Sequence, residues 1–189
     1  MRQNDEPIGS VENVLIITGP SAVGKSTISE ILQQKMPNIK KIISTTSRTP
    51  RLNEVDGVDY IFISEEAFEK KISNGDFLEF TFYNDNHYGI LNEQTAVHKE
   101  EIMLFVVDTI GAKNLQNHFP FATTVFIKPP SIKILEERIT NRNANTPDQI
   151  QWRIAKAKQE IHEADNFDYV VINDDIDSCV EEIMNLIKL

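Results

Sequence analysis

Eight residues near the start of the chain have the types and spacing needed to bind a phosphate group. They are Gly19-Pro20-Ser21-Ala22-Val23-Gly24-Lys25-Ser26, which fit the pattern G-x-x-x-x-G-K-[ST] and follow the apolar run 14–18. Glycines allow successive backbone N–H groups to approach phosphate oxygens that a side chain would block. The pattern therefore predicts a phosphate-binding loop between a strand and a helix. We include Thr27, the next residue, among its nucleotide contacts.

The lysine and the hydroxyl at the end of this loop have separate expected roles. Lys25 is expected to reach the β- and γ-phosphates of a nucleotide, and Ser26 to supply a hydroxyl to Mg²⁺. The helix that begins here directs the positive end of its dipole at the bound anion. A glycine turn that binds nothing is the structural alternative, and the apolar strand before the loop argues against it.

The overall charge of the chain argues against one class of partner. The 189 residues, of which 40% are hydrophobic and 25% charged, suit one globular domain, but the net charge is −10. We therefore expect no nucleic-acid partner. A nucleotide enzyme of this charge must concentrate its cations locally, and the arginines do cluster, at Arg48 and Arg51 and again at Arg138, Arg142 and Arg153.

Residues 1–11 form a polar tail of mixed charge that does not resemble a signal peptide. No apolar run approaches the length needed to cross a membrane. The single cysteine, Cys179, cannot form an internal disulfide and is expected to be buried in the last helix. These features predict a cytoplasmic protein without a membrane partner, and they leave a monomer or a homodimer open.

Strands and helices are expected to alternate along most of the chain. The apolar patterns predict strands at 14–18, 104–108, 123–127 and 168–172 and helices at 26–36, 131–141, 147–164 and 177–188. Thr146 is the expected cap of the helix that begins at Pro147. This alternation predicts an α/β fold, in which a parallel sheet is covered by helices and the ligand binds at the carboxyl ends of the strands.

Residues 44–91 interrupt the alternation. Ser64 is expected to open a short helix that closes near Gly75, and residues 76–83 alternate like a strand. We interpret this segment as an inserted subdomain of short strands and one helix. Beyond it, Asp108 follows a buried apolar run, which places an acid near the expected Mg²⁺ site.

Further motifs follow the loop in a fixed order. Residues 44–51 read Ser-Thr-Thr-Ser-Arg-Thr-Pro-Arg, similar to S-x-T-T-R-x-P-R, and matching segments follow at 54–60, 77–80, 87–89, 129–131 and 171–175. Together they resemble the guanylate kinase family over about residues 12–189. The resemblance implies a P-loop kinase fold with a core at about 12–43, 92–133 and 154–189, a nucleoside-monophosphate-binding (NMP-binding) insertion at 44–91 and a short helical lid at 134–153.

The resemblance also implies an activity and a set of site residues. The activity is ATP-dependent, Mg²⁺-requiring phosphorylation of GMP and dGMP in purine metabolism. Glu79 is implied to accept hydrogen bonds from guanine N1 and the 2-amino group, a donor pair that adenine lacks. The remaining implied contacts are the GMP phosphate groups Arg48, Arg51, Tyr60 and Tyr88, the further nucleotide contacts Ser44 and Asp108, the adenine neighbour Asn173, and the groups acting on the transferred phosphoryl, Lys25, Arg138, Arg142 and Arg153.

The chain departs from the family pattern at four positions. Ile90 replaces a threonine or serine that contacts guanine, Val106 and Ile110 replace an acid and a glutamine of D-x-D-x-Q-G, and Asn53 replaces a glycine. The first departure removes one base contact, so a kinase for another purine monophosphate with relaxed base selectivity stays open. A guanylate-kinase-like module that binds phosphorylated peptides is the second alternative.

Overall fold

The computed structural model describes residues 13–52, 54–83, 85–95, 100–141 and 147–187. Asn53, Arg142 and Thr146, which the sequence singles out, lie outside the described residues. In chain order the elements are β1 (Val14–Thr18), α1 (Lys25–Lys35), β2 (Ile39–Lys41), β3 (Thr45–Thr46), β4 (Ile61–Phe62), α2 (Glu65–Asn74), β5 (Phe77–Tyr83), β6 (Asn86–Leu91), β7 (Ile102–Val106), α3 (Thr109–His118), β8 (Thr123–Lys128), α4 (Ile132–Thr140), α5 (Pro147–Ile161), β9 (Tyr169–Ile172) and α6 (Ile176–Ile187).

A five-stranded sheet with the order β2-β7-β1-β8-β9 forms the centre of the fold. All of its neighbouring strands run parallel. The central strand β1 is buried along its whole length, as expected for a parallel strand covered on both faces. The predicted α/β fold with a helix-covered parallel sheet is therefore confirmed.

Alternate side chains of β1 supply two apolar cores, one on each face of the sheet. Val14 and Ile16 pack with Phe105 and Leu115, the latter on α3. Leu15 and Ile17 pack in a second cluster to which α1 and α6 contribute Ile28, Leu32, Cys179, Val180 and Ile183. Cys179 is buried in α6, as predicted. Within the described residues, no helix is both long and apolar enough to cross a membrane.

A second sheet, with the order β4-β3-β6-β5, occupies the segment that interrupts the alternation. Strands β5 and β6 pair antiparallel as a hairpin, and α2 packs beside them. The predicted ends of α2 are confirmed: the Ser64 hydroxyl accepts the Ala67 N–H, and the helix ends at Gly75.

Helix α3 and strand β2 were not predicted from the sequence. The face that α3 buries is made of small or polar residues, Thr109, Gly111 and Ala112, with Leu115 as its one large apolar side chain. This composition weakens the apolar periodicity on which a prediction depends. Asp108 does not end β7; it is the N-cap of α3.

Gly19 joins β1 to the phosphate-binding loop in a backbone conformation that disfavours side chains. Its φ is +140°, and a Cβ there would lie 2.3 Å from the Ile127 carbonyl oxygen of β8. We expect Gly19→Ala to lower the free energy of unfolding by about 3 kcal/mol, since backbone strain and overpacking each cost ~1–3 kcal/mol.

Gly57→Ala is the matched control in urea unfolding, because Gly57 also has a positive φ, +75°, but a Cβ added there would meet no atom of the described residues within 4 Å. It should cost only about 1 kcal/mol, the strain of a left-handed residue. Equal losses in the two variants would show that the contact with β8 does not constrain the loop.

Candidate active site

A cavity opens where the carboxyl ends of β1 and β7 face the second sheet. Its lining brings together the two groups of residues that the sequence assigns to nucleotide binding. From the loop and α1 they are Gly19, Ser21, Ala22, Val23, Gly24, Lys25, Ser26 and Thr27; from the second sheet and the end of β7 they are Ser44, Arg51, Tyr60, Glu79, Tyr88 and Asp108. The phosphate-binding loop and the predicted acceptor residues thus face one space.

Lys25 is the first residue of α1, and its side chain folds back over the loop. Its Nζ donates hydrogen bonds to the carbonyl oxygens of Gly19, at 2.6 Å, and Pro20, at 3.0 Å. The ammonium group therefore carries its charge at the mouth of the loop, beside the helix N-terminus. Both features favour an anion at this point.

Glu54 holds the two arginines of the second sheet. Its carboxylate accepts two hydrogen bonds from Arg48, at 2.9 and 3.0 Å, and one from the Arg51 backbone N–H at 2.7 Å. Burial would raise the pKa of Glu54, but these hydrogen bonds outweigh it and hold the pKa below its ordinary value. Glu54 lies in one of the motif segments, but this role was not predicted.

Aromatic rings surround the Arg48 guanidinium. It lies 5.4 Å from the Tyr60 ring centroid and 5.7 Å from that of Phe62, and its Nε donates to the Tyr88 hydroxyl at 3.2 Å. Burial lowers the pKa of Arg48, but its bonds to Glu54 and Tyr88 more than compensate. Burial also raises the pKa of Tyr60, which keeps that phenol protonated as a donor. The group is suited to a phosphate dianion.

Glu79 is a buried carboxylate with one oxygen unsatisfied. Its side chain is on β5, 7% exposed, and Oε2 has no hydrogen-bond partner among the described residues. Burial, and to a lesser degree the Asp108 charge, raise the pKa of Glu79 to about 8 against the opposing effect of a hydrogen bond from Asn114. An unsatisfied buried acceptor calls for a ligand that donates N–H or O–H groups.

Asp108 is oriented by three hydrogen bonds. Its Oδ1 accepts the backbone N–H groups of Ile110 and Gly111, both at 2.8 Å, and its Oδ2 accepts the Thr81 hydroxyl at 3.0 Å. Within the described part of the chain, no three His, Cys, Asp or Glu side chains are grouped to hold a metal. Ser26 and Asp108 are hard oxygen donors on one cavity, which fits Mg²⁺ because this ion keeps most of its waters.

Three further predicted residues, Arg138, Arg153 and Asn173, lie next to the loop but do not line the cavity. Arg153 of α5 is 6% exposed, and its Nη2 donates to the Ser21 hydroxyl at 2.6 Å. Asn173 donates to the Val23 carbonyl at 2.7 Å and, with Arg138, lines a second depression next to Ala22 and Gly24. The second depression and the cavity thus share Ala22 and Gly24 of the loop as lining residues.

Two predicted acceptor residues, Arg48 and Ile90, are not among the residues that line the cavity. The Arg48 guanidinium lies behind it, paired with Glu54. The Ile90 side chain is fully buried in the apolar cluster that contains Leu78 and Phe105. The residue that replaces the family's hydroxyl thus serves the core.

Three polar side chains that line the cavity were not predicted from the sequence: Thr81, Tyr83 and Glu160. The first two follow Glu79 at intervals of two on β5, and the third is seven residues after Arg153 on α5. Strand and helix periodicity would have placed each on the same face as its predicted neighbour.

Comparison with known proteins shows a similarity that covers nearly the whole chain. Residues 11–189 match the family model described as guanylate kinase. The chain belongs to the guanylate kinase family. Two curated members are each 38% identical to it: that of Helicobacter pylori over 178 residues, 93% of this chain and 86% of the relative, and that of Gloeobacter violaceus over 191 residues, 98% and 92%.

Solved structures agree with this membership. The crystal structure of guanylate kinase from Anaplasma phagocytophilum is similar with a TM-score of 0.77 and 29% identity, over 95% of this chain and 86% of that one. Shikimate kinase from Bacteroides thetaiotaomicron, at 14% identity and a TM-score of 0.51 over 93% of this chain and 98% of that one, shares the fold alone.

The Arg48–Glu54 pair leads to a prediction about stability. Glu54→Ala leaves a nearly buried guanidinium without its carboxylate, so we expect a loss of about 2 kcal/mol in the free energy of unfolding at neutral pH. Because the pKa of Glu54 is lowered in the fold, this contribution is present above the ordinary value of 4.5 and is lost as pH falls through the lowered pKa.

Urea unfolding of wild type and variant from neutral pH to below pH 4 measures both effects. The control is Glu136→Ala, which breaks a surface pair with Lys158 at 2.8 Å and should cost less than about 1 kcal/mol. A Glu54→Ala loss no larger than the control's, or one unchanged in acid, would contradict the role given to this pair.

Proposed function

We propose that this chain transfers the γ-phosphoryl group of ATP to GMP, and to dGMP, with Mg²⁺ as the metal cofactor. Membership of the guanylate kinase family supports ATP-dependent phosphorylation of GMP. The observation that carries the proposal is that one cavity holds both a phosphate-binding loop with its lysine and Glu79, whose buried Oε2 lacks a partner among the described residues.

ATP occupies the loop side. Its phosphates accept the loop N–H groups, and Lys25 offsets the charge of the β- and γ-phosphates. The depression lined by Arg138 and Asn173 adjoins the loop and suits the rest of the donor nucleotide. Ser26, and Asp108 through a water, would hold Mg²⁺, which would supply charge neutralisation to the phosphate oxygens.

GMP occupies the side of the second sheet. Arg48, Arg51, Tyr60 and Tyr88 provide guanidinium and phenol donors for its phosphate. Glu79 accepts the N1–H and 2-amino groups of guanine, which is why adenine is a poor fit. In the free protein, the unsatisfied Oε2 of Glu79 costs free energy. A base with donors at these positions removes that cost and a base without them does not, so the site selects for guanine.

The chemistry needs no protein nucleophile. An oxygen of the GMP phosphate attacks the γ-phosphorus in line, the bond from that phosphorus to the β–γ bridging oxygen breaks, and ADP leaves. Negative charge on the transferred group is stabilised by Lys25, Arg138, Arg142 and Arg153. Helices α4 and α5 carry the lid arginines that the structure describes. Closure of this lid would exclude water, which otherwise hydrolyses ATP.

The burial of Ile90 supports the alternative of a kinase with relaxed base selectivity. Because Ile90 is in the core, no side chain at that position donates to guanine O6, which favours broader acceptance of purine monophosphates. The phosphate-binding loop with Lys25 in place disfavours the phosphopeptide-binding alternative.

A cytoplasmic location, the absence of a nucleic-acid partner and a monomeric or homodimeric state stay predictions of the sequence.

A coupled assay of ADP release with GMP, dGMP, IMP and AMP tests the reaction. We expect GMP and dGMP to be used best, and Lys25→Ala to abolish turnover in a folded protein because its charge acts on the transferred group. Lys70→Ala removes an exposed lysine of α2 and should keep wild-type activity. Preference for AMP, or an active Lys25→Ala variant, would overturn the proposal.

The raised pKa of Glu79 predicts how GMP recognition depends on pH. Only the ionised carboxylate accepts both guanine donors, and its pKa is about 8 in the free protein, so a proton must leave before GMP binds. The KM for GMP should therefore fall by up to about tenfold per unit as pH rises towards 8, and then level.

Initial rates at pH values above about 6.5 measure this, since most of the GMP phosphate is already doubly ionised there. Glu79→Gln presents an amide donor to the guanine donors, so its KM should be high at every pH. A KM for wild type that does not change with pH would show that Glu79 does not read the base.

A further inference from the structure

Helix α5 turns one face into the protein, and the two ends of this face touch different parts of the site. The buried residues are Arg153, Ala157 and Glu160, spaced four and three apart as on one helix face. Arg153 bonds the loop through the Ser21 hydroxyl at 2.6 Å. Glu160, two turns later, lines the central cavity.

Glu160 has no role in the phosphoryl transfer described above, yet it is among the most buried charged residues. Its side chain is 2% exposed, and Oε2 has no hydrogen-bond partner among the described residues. A buried carboxylate in this state is costly unless a neighbour stabilises its charge. Such a residue is expected to be retained for a reason other than packing.

Tyr83 is the neighbour that meets Glu160 from the second sheet. It is the last residue of β5, and its hydroxyl forms a hydrogen bond that favours the ionised form of Glu160. The same ring packs edge-on against Trp152 of α5, with 5.8 Å between ring centroids. Tyr83 therefore contacts α5 twice, on either side of Arg153 along the helix.

We propose that Glu160 is a positioning residue whose carboxylate accepts the Tyr83 hydroxyl and thereby fixes α5, with Arg153 at the loop, against the acceptor-binding sheet. The pair joins the helix that carries an ATP-side arginine to the strand that carries Glu79, the base reader. Ordering of the residues that hold one substrate is thus coupled to ordering of those that hold the other. This inference rests on the proposed kinase reaction.

The charges around Glu160 determine the pH range in which its hydrogen bond with Tyr83, here called the tie, is strong. Lys25 from α1 and Lys156 from its own helix favour the carboxylate, whereas Asp108 at the start of α3 opposes it. Burial is the largest effect and raises the pKa of Glu160 to about 7. A phenol donates a stronger hydrogen bond to a carboxylate than to a carboxylic acid, so the tie strengthens as pH rises through about 7.

The first measurement is kcat at saturating ATP and GMP for Glu160→Gln, Tyr83→Phe and the double variant. Glu160→Gln removes the negative charge of the acceptor and Tyr83→Phe removes the donor, so each should lower kcat by about tenfold, the effect of one hydrogen bond to a charged group. The double variant should be no slower than either single one, because both remove the same tie. In wild type, kcat should rise with pH through about 7, and Glu160→Gln should remove this rise.

The second measurement uses the single tryptophan of the chain, Trp152, which packs against Tyr83. Its emission should change through about pH 7 in wild type, at a higher pH in Tyr83→Phe, and not at all in Glu160→Gln. His162→Gln is the matched control: this exposed histidine lies two residues from Glu160, and replacing it should leave the transition in place.

The outcomes separate the inference from the proposed function. An active wild type whose two single variants keep wild-type kcat, or lose it additively, overturns the positioning role and leaves the kinase assignment standing. A wild type without GMP kinase activity overturns the proposed function. In that case the emission transition still decides whether Glu160 holds Tyr83, and a transition that survives in Glu160→Gln refutes the tie.

Discussion

The parallel pairing of β1 between β7 and β8 is the interaction on which the rest of the site depends. It brings the carboxyl ends of two apolar strands to one edge, where the phosphate-binding loop and Asp108 emerge together. Gly19 then lies against the backbone of β8 with no room for a side chain. Because the sheet is buried on both faces, the loop is built on a rigid support, and its N–H groups are oriented before any phosphate arrives.

Two buried carboxylates make the free protein less stable than its packing alone would allow. The pKa values of Glu79 and Glu160 rise from 4.5 to about 8 and about 7. The preference of the fold for the neutral forms contributes to the free energy of unfolding. This contribution is present below pH 4.5 and is lost as pH rises through about 7 for Glu160 and about 8 for Glu79. A ligand that donates hydrogen bonds to Glu79 offsets this cost, so binding affinity and stability are coupled at the site.

The arginines of the site differ from these two carboxylates, because they have bonding partners in the free protein. Arg48 is paired with Glu54 and enclosed by aromatic rings, and Arg153 is bonded to Ser21, so both are ordered without a ligand. In a chain with a net charge of −10, these local groups supply the positive potential that a phosphate requires. Pre-ordering them lowers the entropy cost of binding.

The sequence by itself determined the loop, the fold class, the interruption at 44–91, and part of the set of side chains that face the cavity. These follow from local rules: a motif with a fixed backbone requirement, apolar periodicity, and capping residues such as Ser64. The burial of Ile90, the Glu54 clamp and the Tyr83–Glu160 contact were decided only by the tertiary structure. Tyr83 and Glu160 are far apart in the chain, and their meeting depends on how α5 packs against β5, which no local pattern encodes. The pKa of a carboxylate likewise depends on the burial and charges around it, so only the folded chain could make Glu79 and Glu160 unusual acids.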